Sequence, residues 1–249
     1  MTEPATCWRL RIFESLGSTS DLCRSLAAAG EPEGLAVLAR RQEKGRGRNG
    51  RAWLSAPGNL FFSVLLRPRG PIRDGGLWSL LAAVALAETI APLLPDPSAL
   101  SLKWPNDLLL DGRKLAGILL DSAADGSGNL AWLVIGFGVN LAATPEVPNR
   151  AVAALAEFAP PPPPEQVAHA LLARLDHWHR VRLIDGFAAV RAAWLARAHP
   201  LGAPVTLRLG GSDVGGSFAG LAEDGSLLLQ SAGRVRAYAA GEITPRERS

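Results

Sequence analysis

An Asp-Gly dipeptide between two apolar runs is the feature that most constrains the fold of this 249-residue sequence. Asp111 and Gly112 separate the run LLL from KLAGILLD, and this arrangement predicts a two-stranded antiparallel hairpin. Apolar or alternating runs indicate further strands at 8–13, 35–39, 60–66 and 130–141. The chain is therefore predicted to contain a sheet whose central strands are buried.

Helices are predicted between these strands, and the texture changes after Pro200. Ser18 or Ser20 is a suitable cap for the first helix, because a serine hydroxyl can accept a hydrogen bond from a backbone N–H of the first turn. Beyond Pro200, short strands alternate with turns, which favours a small all-β module of about 45 residues. The helical segments are predicted at 21–29, 77–94 and, as two stretches, 165–198.

The sequence also bears on the compartment. The N-terminus lacks a cationic segment followed by an apolar run, so no secretory signal is predicted. The longest apolar run, residues 80–87, is much shorter than the roughly 20 residues of a membrane-spanning helix, so no membrane partner is expected. Cys7 and Cys23 are predicted to be small, buried and unpaired residues in a reducing compartment, and a cytoplasmic location is expected. Five prolines at 160–164 predict a stiff surface connection.

Positive charge is concentrated in one short segment. Residues 40–51 contain six basic residues against Glu43 alone, whereas the whole chain has a net charge of only +3. This concentration predicts a local anionic ligand rather than a generally basic surface. Lysine is rare, because 23 of the 26 basic residues are arginine and the lysines are Lys44, Lys103 and Lys114.

Two segments carry candidate chemistry. The loop 45–53, GRGRNGRAW, combines three arginines with glycines that let the backbone bend around a ligand, and guanidinium groups suit phosphate and carboxylate oxygens. Its GxGxxG spacing does not predict a dinucleotide-binding fold, since a strand rather than a helix follows the third glycine. The second segment, 102–121, brings two lysines together with Asn106 and Asp107, and a carboxylate at a strand end could hold Mg²⁺.

These segments resemble the biotin protein ligase family. The resemblance rests on GRGRxGRxW at 45–53, KWPND at 103–107, KLAGIL at 114–119 and GxGxN at 136–140, in that order, and it extends to the terminal GEI at 241–243. It implies an α+β fold of the class II aminoacyl-tRNA synthetase type, a mixed sheet with flanking helices, followed by a small C-terminal SH3-like β barrel. The implied domains are a catalytic biotin- and ATP-binding domain at 1–198 and the SH3-like domain at 199–249.

The resemblance also implies a two-step reaction. Biotin and Mg-ATP would give biotinyl-5'-AMP and diphosphate, and a specific lysine of a biotin carboxyl carrier protein would then take the biotinyl group. The family includes members with an N-terminal DNA-binding domain, for which this sequence has no room before the strand that begins at Trp8. The expectation is a monofunctional ligase without a DNA partner, present as a monomer or homodimer.

Residue roles carry over from the resemblance by position. Lys114 and Arg48 are the implied catalytic residues, and Asp107 is the implied Mg²⁺ ligand. The implied nucleotide-binding residues are Arg48, Arg51, Trp53, Asn106, Asp107, Lys114 and Asn140. The implied biotin-binding residues are Ser18, Thr19, Ser20, Gln42, Gly45, Arg46, Gly47, Arg48, Trp53, Lys114, Gly117 and Gly138. Ser20 departs from the family, which usually has asparagine there.

Two alternatives stay open at this point. A lipoate or octanoate ligase or transferase shares the fold and the lysine target, but not the combination of GRGRxGRxW with KWPND. A non-catalytic nucleic-acid-binding module could instead use the basic loop and the small β module, with a steep salt dependence of affinity.

Overall fold

The computed structural model describes residues 6–145 and 151–245, and its larger part is a seven-stranded mixed sheet. The strands are β1 Arg9–Phe13, β2 Leu35–Ala39, β3 Leu60–Leu66, β4 Leu100–Lys103, β5 Asp107–Leu110, β6 Arg113–Ala124 and β7 Leu130–Val139. They lie in the order β1-β2-β3-β7-β6-β5-β4. Strands β1 and β2 are parallel, and every other neighbouring pair is antiparallel. The hairpin predicted at Asp111-Gly112 is confirmed as the β5-β6 connection.

Among the described residues, three α-helices flank the sheet: α1 Thr19–Ala28, α2 Gly75–Ile90 and α3 Pro164–Leu195. Ser18 rather than Ser20 caps α1, because the Ser18 hydroxyl accepts a hydrogen bond from the N–H of Asp21 at 3.3 Å. The last proline of the 160–164 run opens α3. Gly186, with φ 71° and ψ −174°, interrupts α3 and separates the two helical stretches expected there.

Both faces of the sheet centre are covered, which explains the continuous apolar runs of the central strands. In β2, Ala36 and Leu38 pack in the cluster that contains α2, while Leu35 and Val37 pack with Cys23 of α1. A strand buried on both faces has no polar face to alternate with. The sequence of β3 follows the same rule, with one polar exception, Ser63, on the α1 face.

Helix α2 is buried on almost every side, between the large sheet and α3. With its flanking turns, Ile72–Leu93, it is long and apolar enough by composition to cross a membrane, with a mean hydropathy of 1.6. However, 72% of its most apolar 18-residue stretch is buried inside the protein, as in the core helix of a globular fold. Residues 1–5, on which the predicted absence of a secretory signal partly rests, lie outside the described residues. Cys23 is buried as predicted, whereas the prediction of a buried Cys7 is wrong, because Cys7 is exposed close to the start of the described chain.

The C-terminal module is a five-stranded antiparallel sheet. Its strands are β8 Pro204–Leu209, β9 Ser212–Leu221, β10 Leu227–Ser231, β11 Arg234–Tyr238 and β12 Glu242–Pro245. They lie in the order β11-β10-β9-β8-β12, and β12 pairs with β8. This agrees with the small C-terminal β module that the resemblance implies. Within residues 201–245, β11 and β12 occupy opposite edges and do not pair with each other, so the sheet does not close fully into a barrel.

This smaller sheet shares its apolar core with the larger one. Val205, Phe218 and Ile243 belong to the same buried cluster as Trp104 and the side chains of α2. The Trp104 indole N–H also donates to the carbonyl of Gly225 at 3.1 Å. The shared core holds the C-terminal sheet beside the loop 45–53. The predicted domain boundary between residues 198 and 199 stays a prediction.

Candidate active site

A cavity of about 280 Å³ opens on the α1 face of the large sheet. It lies between the start of α1, the loop 45–53 and strands β6 and β7. Of the residues predicted for the site, all but Gly45 line it: Ser18, Thr19, Ser20, Gln42, Arg46, Gly47, Arg48, Arg51, Trp53, Asn106, Asp107, Lys114, Gly117, Gly138 and Asn140. Segments distant in sequence therefore meet at one place, as their predicted common role requires.

Gly45 closes the loop and does not line the cavity, and its predicted contact with biotin stays a prediction. Its carbonyl accepts the Trp53 N–H at 2.9 Å, and a Cβ at this position would collide with the Trp53 carbonyl oxygen. Only glycine lets the two ends of the loop approach this closely. Its contribution is to fix where Trp53 enters the cavity.

The Trp53 indole lies on a floor made by two glycines. Gly117 on β6 and Gly138 on β7 are direct cross-strand partners. A Cβ at Gly138 would be 2.7 Å from the indole Nε1, and one at Gly117 would be 3.1 Å from Cζ3. Because neither glycine has a side chain, the two strands present a flat surface on which a planar ring can lie. The indole N–H is buried and has no hydrogen-bond acceptor among the described residues.

Asp107 lies between two lysines at the side of this floor. Its carboxylate is 2.5 Å from the Lys114 ammonium and 3.2 Å from that of Lys103. Asp107 is 4% exposed, so the cluster is largely removed from water. Opposite charges at this depth hold each other in place because each would otherwise be buried without a partner.

The metal role predicted for Asp107 stays a prediction. Both carboxylate oxygens already face an ammonium group. Among residues 6–145 and 151–245, no group of three or more histidine, cysteine or acidic side chains could hold an ion. Magnesium commonly reaches a site with nucleotide phosphates and few protein ligands. We therefore treat Mg²⁺ as part of the nucleotide substrate.

Arg48 and Arg51 connect the loop to the C-terminal sheet. Arg48 donates to the amide oxygen of Asn106 at 2.9 Å and to the carbonyl of Gly241 at 3.3 Å. Arg51 donates to Glu242 at 2.9 Å. Burial lowers the pKa of Arg48 from its ordinary value, and the nearby carboxylate of Asp107 opposes this shift. Arg48 is therefore held between both sheets, at the wall of the cavity.

The contribution of Gly241 and Glu242 is the main element missing from the predicted site. Both line the cavity, although about 190 residues separate Glu242 from Arg51. Only the terminal GEI sequence, which forms part of the family resemblance, signals them. The other lining residues outside the prediction are Asn49, Ala52, Leu54, Ile118, Leu119, Gly136, Phe137, Pro145 and Val152.

Arg46 forms ion pairs with two acidic side chains. It donates to Asp21 of α1 at 2.6 Å and to both oxygens of Asp121 on β6, at 2.8 and 3.0 Å. These bonds tie the loop to both α1 and β6 through one guanidinium group. Because Arg46 and Arg51 are ion-paired, the loop does not present a free row of cations, which weakens the nucleic-acid alternative.

The end of the cavity next to α1 is polar. The Gln42 side-chain oxygen accepts hydrogen bonds from the Thr19 backbone N–H at 2.9 Å and the Thr19 hydroxyl at 3.2 Å. At the opposite side, Asn140 is 1% exposed and donates to the carbonyl of Ala153. Its side-chain oxygen has no donor among the described residues. An orphaned acceptor in a cavity wall suits a ligand N–H or O–H.

Two family models match this chain. The Biotin/lipoate A/B protein ligase family matches residues 12–140, and the Biotin protein ligase C terminal domain matches residues 201–244. The first match contains most of the cavity-lining residues, and the second contains Gly241 and Glu242. The two matches therefore meet at the site.

Individual relatives agree with these models. A biotin–[acetyl-CoA-carboxylase] ligase of Paracoccus denitrificans is 37% identical, over 83% of this chain and 88% of the relative. One from Mycobacterium tuberculosis is 33% identical, over 95% of this chain and 89% of the relative. Among solved structures, the biotin protein ligase of Aquifex aeolicus in complex with biotin and ATP superposes with a TM-score of 0.78. It is 27% identical, over 96% of this chain and 99% of that structure.

Proposed function

This chain belongs to the biotin/lipoate A/B protein ligase family, and we propose that its cavity is where it activates biotin with ATP and passes the biotinyl group to a carboxyl carrier protein. Within the family, biotin rather than lipoate is indicated by the match of residues 201–244 to the C-terminal domain of biotin protein ligases. The observation that carries the proposal is the convergence of the predicted biotin and nucleotide residues on one cavity.

The first step brings two anions together. An oxygen of the biotin carboxylate attacks the α-phosphorus of ATP, a phosphorus–oxygen bond forms, and diphosphate leaves with its bonding electrons. The Lys114 ammonium and the Arg48 guanidinium lie in the cavity wall and cancel the repulsion between the reactants. Fixed cations that meet the charge developing on the phosphoryl oxygens lower the barrier, because they need no reorganisation during the reaction.

The two ends of the cavity suit the two ends of the intermediate. The polar end, with Ser18, Thr19 and Gln42, would hydrogen-bond the ureido ring of biotin. The floor beneath Trp53 and the unpartnered oxygen of Asn140 would receive the adenosine part, by stacking and by a hydrogen bond from an N–H or O–H. The Lys114 ammonium lies beside this floor, 5.6 Å from the Trp53 ring centroid.

In the second step, the neutral amine of the acceptor lysine attacks the activated carbonyl carbon, an amide bond forms, and AMP leaves. The mixed anhydride must be shielded from water until the acceptor arrives. The loop 45–53, tied down by Arg46, would supply this cover. A monomeric or homodimeric state and the absence of DNA and membrane partners stay predictions.

A transfer assay tests the proposal. The purified protein is incubated with Mg-ATP, biotin and a biotin carboxyl carrier domain, and the mass of the domain is measured. The expected result is addition of one biotinyl group, with no addition when the acceptor lysine is replaced by arginine. The proposal would be contradicted if the carrier domain with its acceptor lysine stayed unmodified, provided that a second, known ligase biotinylates the same preparation of the domain.

A further inference from the structure

We infer that Ser63, a buried serine outside the cavity lining, fixes the direction of a hydroxyl relay and so sets the ligand preference of the polar end of the cavity. Ser63 lies in the middle of β3 and is 0% exposed. The relay consists of Ser20, Ser63, Thr19 and Gln42. The inference rests on the proposed function, because it concerns how the same cavity would recognise the ureido ring.

The three hydroxyls form a linear chain, with Ser63 in the middle, within hydrogen-bond distance of both Thr19 and Ser20. The Ser63 Oγ is 2.8 Å from the Thr19 Oγ1 and 3.1 Å from the Ser20 Oγ. Thr19 and Ser20 also line the cavity, whereas Ser63 lies behind them. Ser63 is therefore a positioning residue, and it acts on a ligand through its two neighbours.

Proton counting gives this relay a single direction. The Gln42 Oε1 can only accept, and its amide orientation is set because it also accepts the Thr19 backbone N–H. The Thr19 hydroxyl must therefore donate its one proton to Gln42. Thr19 can then only accept from Ser63, and Ser63 in turn can only accept from Ser20. Every hydroxyl proton of the relay is used inside the protein.

A glycine on the neighbouring strand provides the space for this arrangement. Gly136 of β7 is the direct cross-strand partner of Ser63. A Cβ at Gly136 would collide with the Ser20 Oγ and would be 3.4 Å from the Ser63 Oγ. Ser20, which departs from the usual asparagine of the family, supplies the first donor of the relay. The packing therefore holds a serine hydroxyl at this position.

The consequence is a cavity wall in which Thr19 and Ser20 present only lone pairs. Such a wall accepts hydrogen bonds from ligand N–H groups and repels a ligand oxygen at the same place. A carbonyl oxygen of the same ring would need a donor, which the Gln42 side-chain NH₂ group can supply. This pattern fits a ring with a carbonyl between two N–H groups, and it disfavours an acid without N–H donors.

The test compares biotin with a cyclic carbamate analogue of equal size, in which a ring oxygen replaces one ureido N–H. Initial rates of diphosphate release give kcat and KM for each acid. The wild type is expected to favour biotin in kcat/KM by about tenfold or more, the effect of one mispaired hydrogen bond. Equal kcat/KM values for the two acids would overturn the inference.

Ser63→Ala is the matching protein variant. Loss of the Ser63 hydroxyl leaves the Ser20 proton free to point into the cavity. The preference for biotin over the carbamate, measured as the ratio of kcat/KM values, is therefore expected to fall about tenfold. The KM for biotin should rise by a similar factor, while the KM for ATP stays within about twofold. Ser63→Cys, which keeps a weaker donor, should give an intermediate preference.

Thr89→Val is the control, since Thr89 is also buried and its hydroxyl donates only to the Ala85 carbonyl within α2. It should leave the preference unchanged. An active Ser63→Ala protein that keeps the full wild-type preference would refute the relay but not the proposed function. Absence of biotin-dependent diphosphate release by the wild type would instead refute the proposed function, and the inference with it.

Discussion

Replacement of Lys114 by methionine separates catalysis from folding. Lys114 is paired with Asp107 at 2.5 Å, but Asp107 keeps a second ammonium, that of Lys103, at 3.2 Å. The variant therefore does not leave a buried carboxylate without a counter-charge, a loss that costs about 3–5 kcal/mol. We expect the free energy of unfolding to fall by only about 1 kcal/mol.

The effect on the adenylation step should be much larger. The Lys114 charge is oriented before the reaction, and loss of one such contact to the developing charge typically lowers the rate about 10²–10³-fold, or about 3–4 kcal/mol in barrier. Single-turnover diphosphate release with saturating biotin and ATP measures this rate, and urea denaturation measures stability. Because the contact strengthens as the phosphorus–oxygen bond forms, kcat should fall more than the affinity for biotin.

Lys44→Met is the matched control, because Lys44 is an exposed lysine at the base of the same loop and does not line the cavity. It should react at the wild-type rate. A Lys114→Met protein that folds normally and turns over within a fewfold of the wild type would refute the electrostatic role assigned to this residue.

Three further perturbations test other parts of the account. Arg46→Ala removes the bonds to Asp21 and Asp121, so amide hydrogen exchange in the loop 45–53 should accelerate and the KM for biotin should rise about tenfold, whereas unchanged exchange would contradict its tethering role. Gly138→Ala inserts a Cβ that collides with the Trp53 ring, so urea denaturation should show a loss of about 1–3 kcal/mol in the free energy of unfolding. A second substitution, Trp53→Leu, should recover part of this loss, and equal losses in both backgrounds would argue against that contact. Burial raises the pKa of the Cys23 thiol from 9.0 to about 12, which favours the protonated thiol in the folded state. This contribution is complete below pH 9 and is lost between pH 9 and 12, at no more than about 1.4 kcal/mol per pH unit, so the wild type should lose stability faster than Cys23→Ala over that range, and parallel profiles would contradict it.

Local sequence patterns predicted much of the fold, because each pattern has a short-range cause. The Asp111-Gly112 turn, the Ser18 cap and the apolar runs of β2 and β3 depend on neighbouring residues and on burial alone. The strand order of the sheet, by contrast, depends on long-range pairing that no single segment records. The five-stranded C-terminal module was expected from its short strands and from the resemblance, whereas the pairing of β12 with β8, which joins its first and last strands, has no local sequence signal.

The site residues that belong to a sequence motif could be predicted. The residues whose role depends on contacts between distant segments could not. GRGRxGRxW and KWPND identified Arg48, Trp53 and Asp107, and the cavity contains all three. The pairing of Arg51 with Glu242 joins elements about 190 residues apart, and no local pattern signals it. The role of Ser63 could not be predicted either, because a single serine in an apolar strand carries no local signal. Its role depends on its contacts with Thr19, Ser20 and Gly136 in the folded protein.

Diphosphate release from Mg-ATP by the purified protein, with biotin, with lipoate and without an added acid, tests the central claim most directly. We expect release that depends on biotin, because the polar end of the cavity matches a ureido ring and the cations of its wall match a carboxylate beside a triphosphate. Release with lipoate and none with biotin would contradict the assignment of the substrate. Release with neither acid would contradict the adenylation chemistry itself.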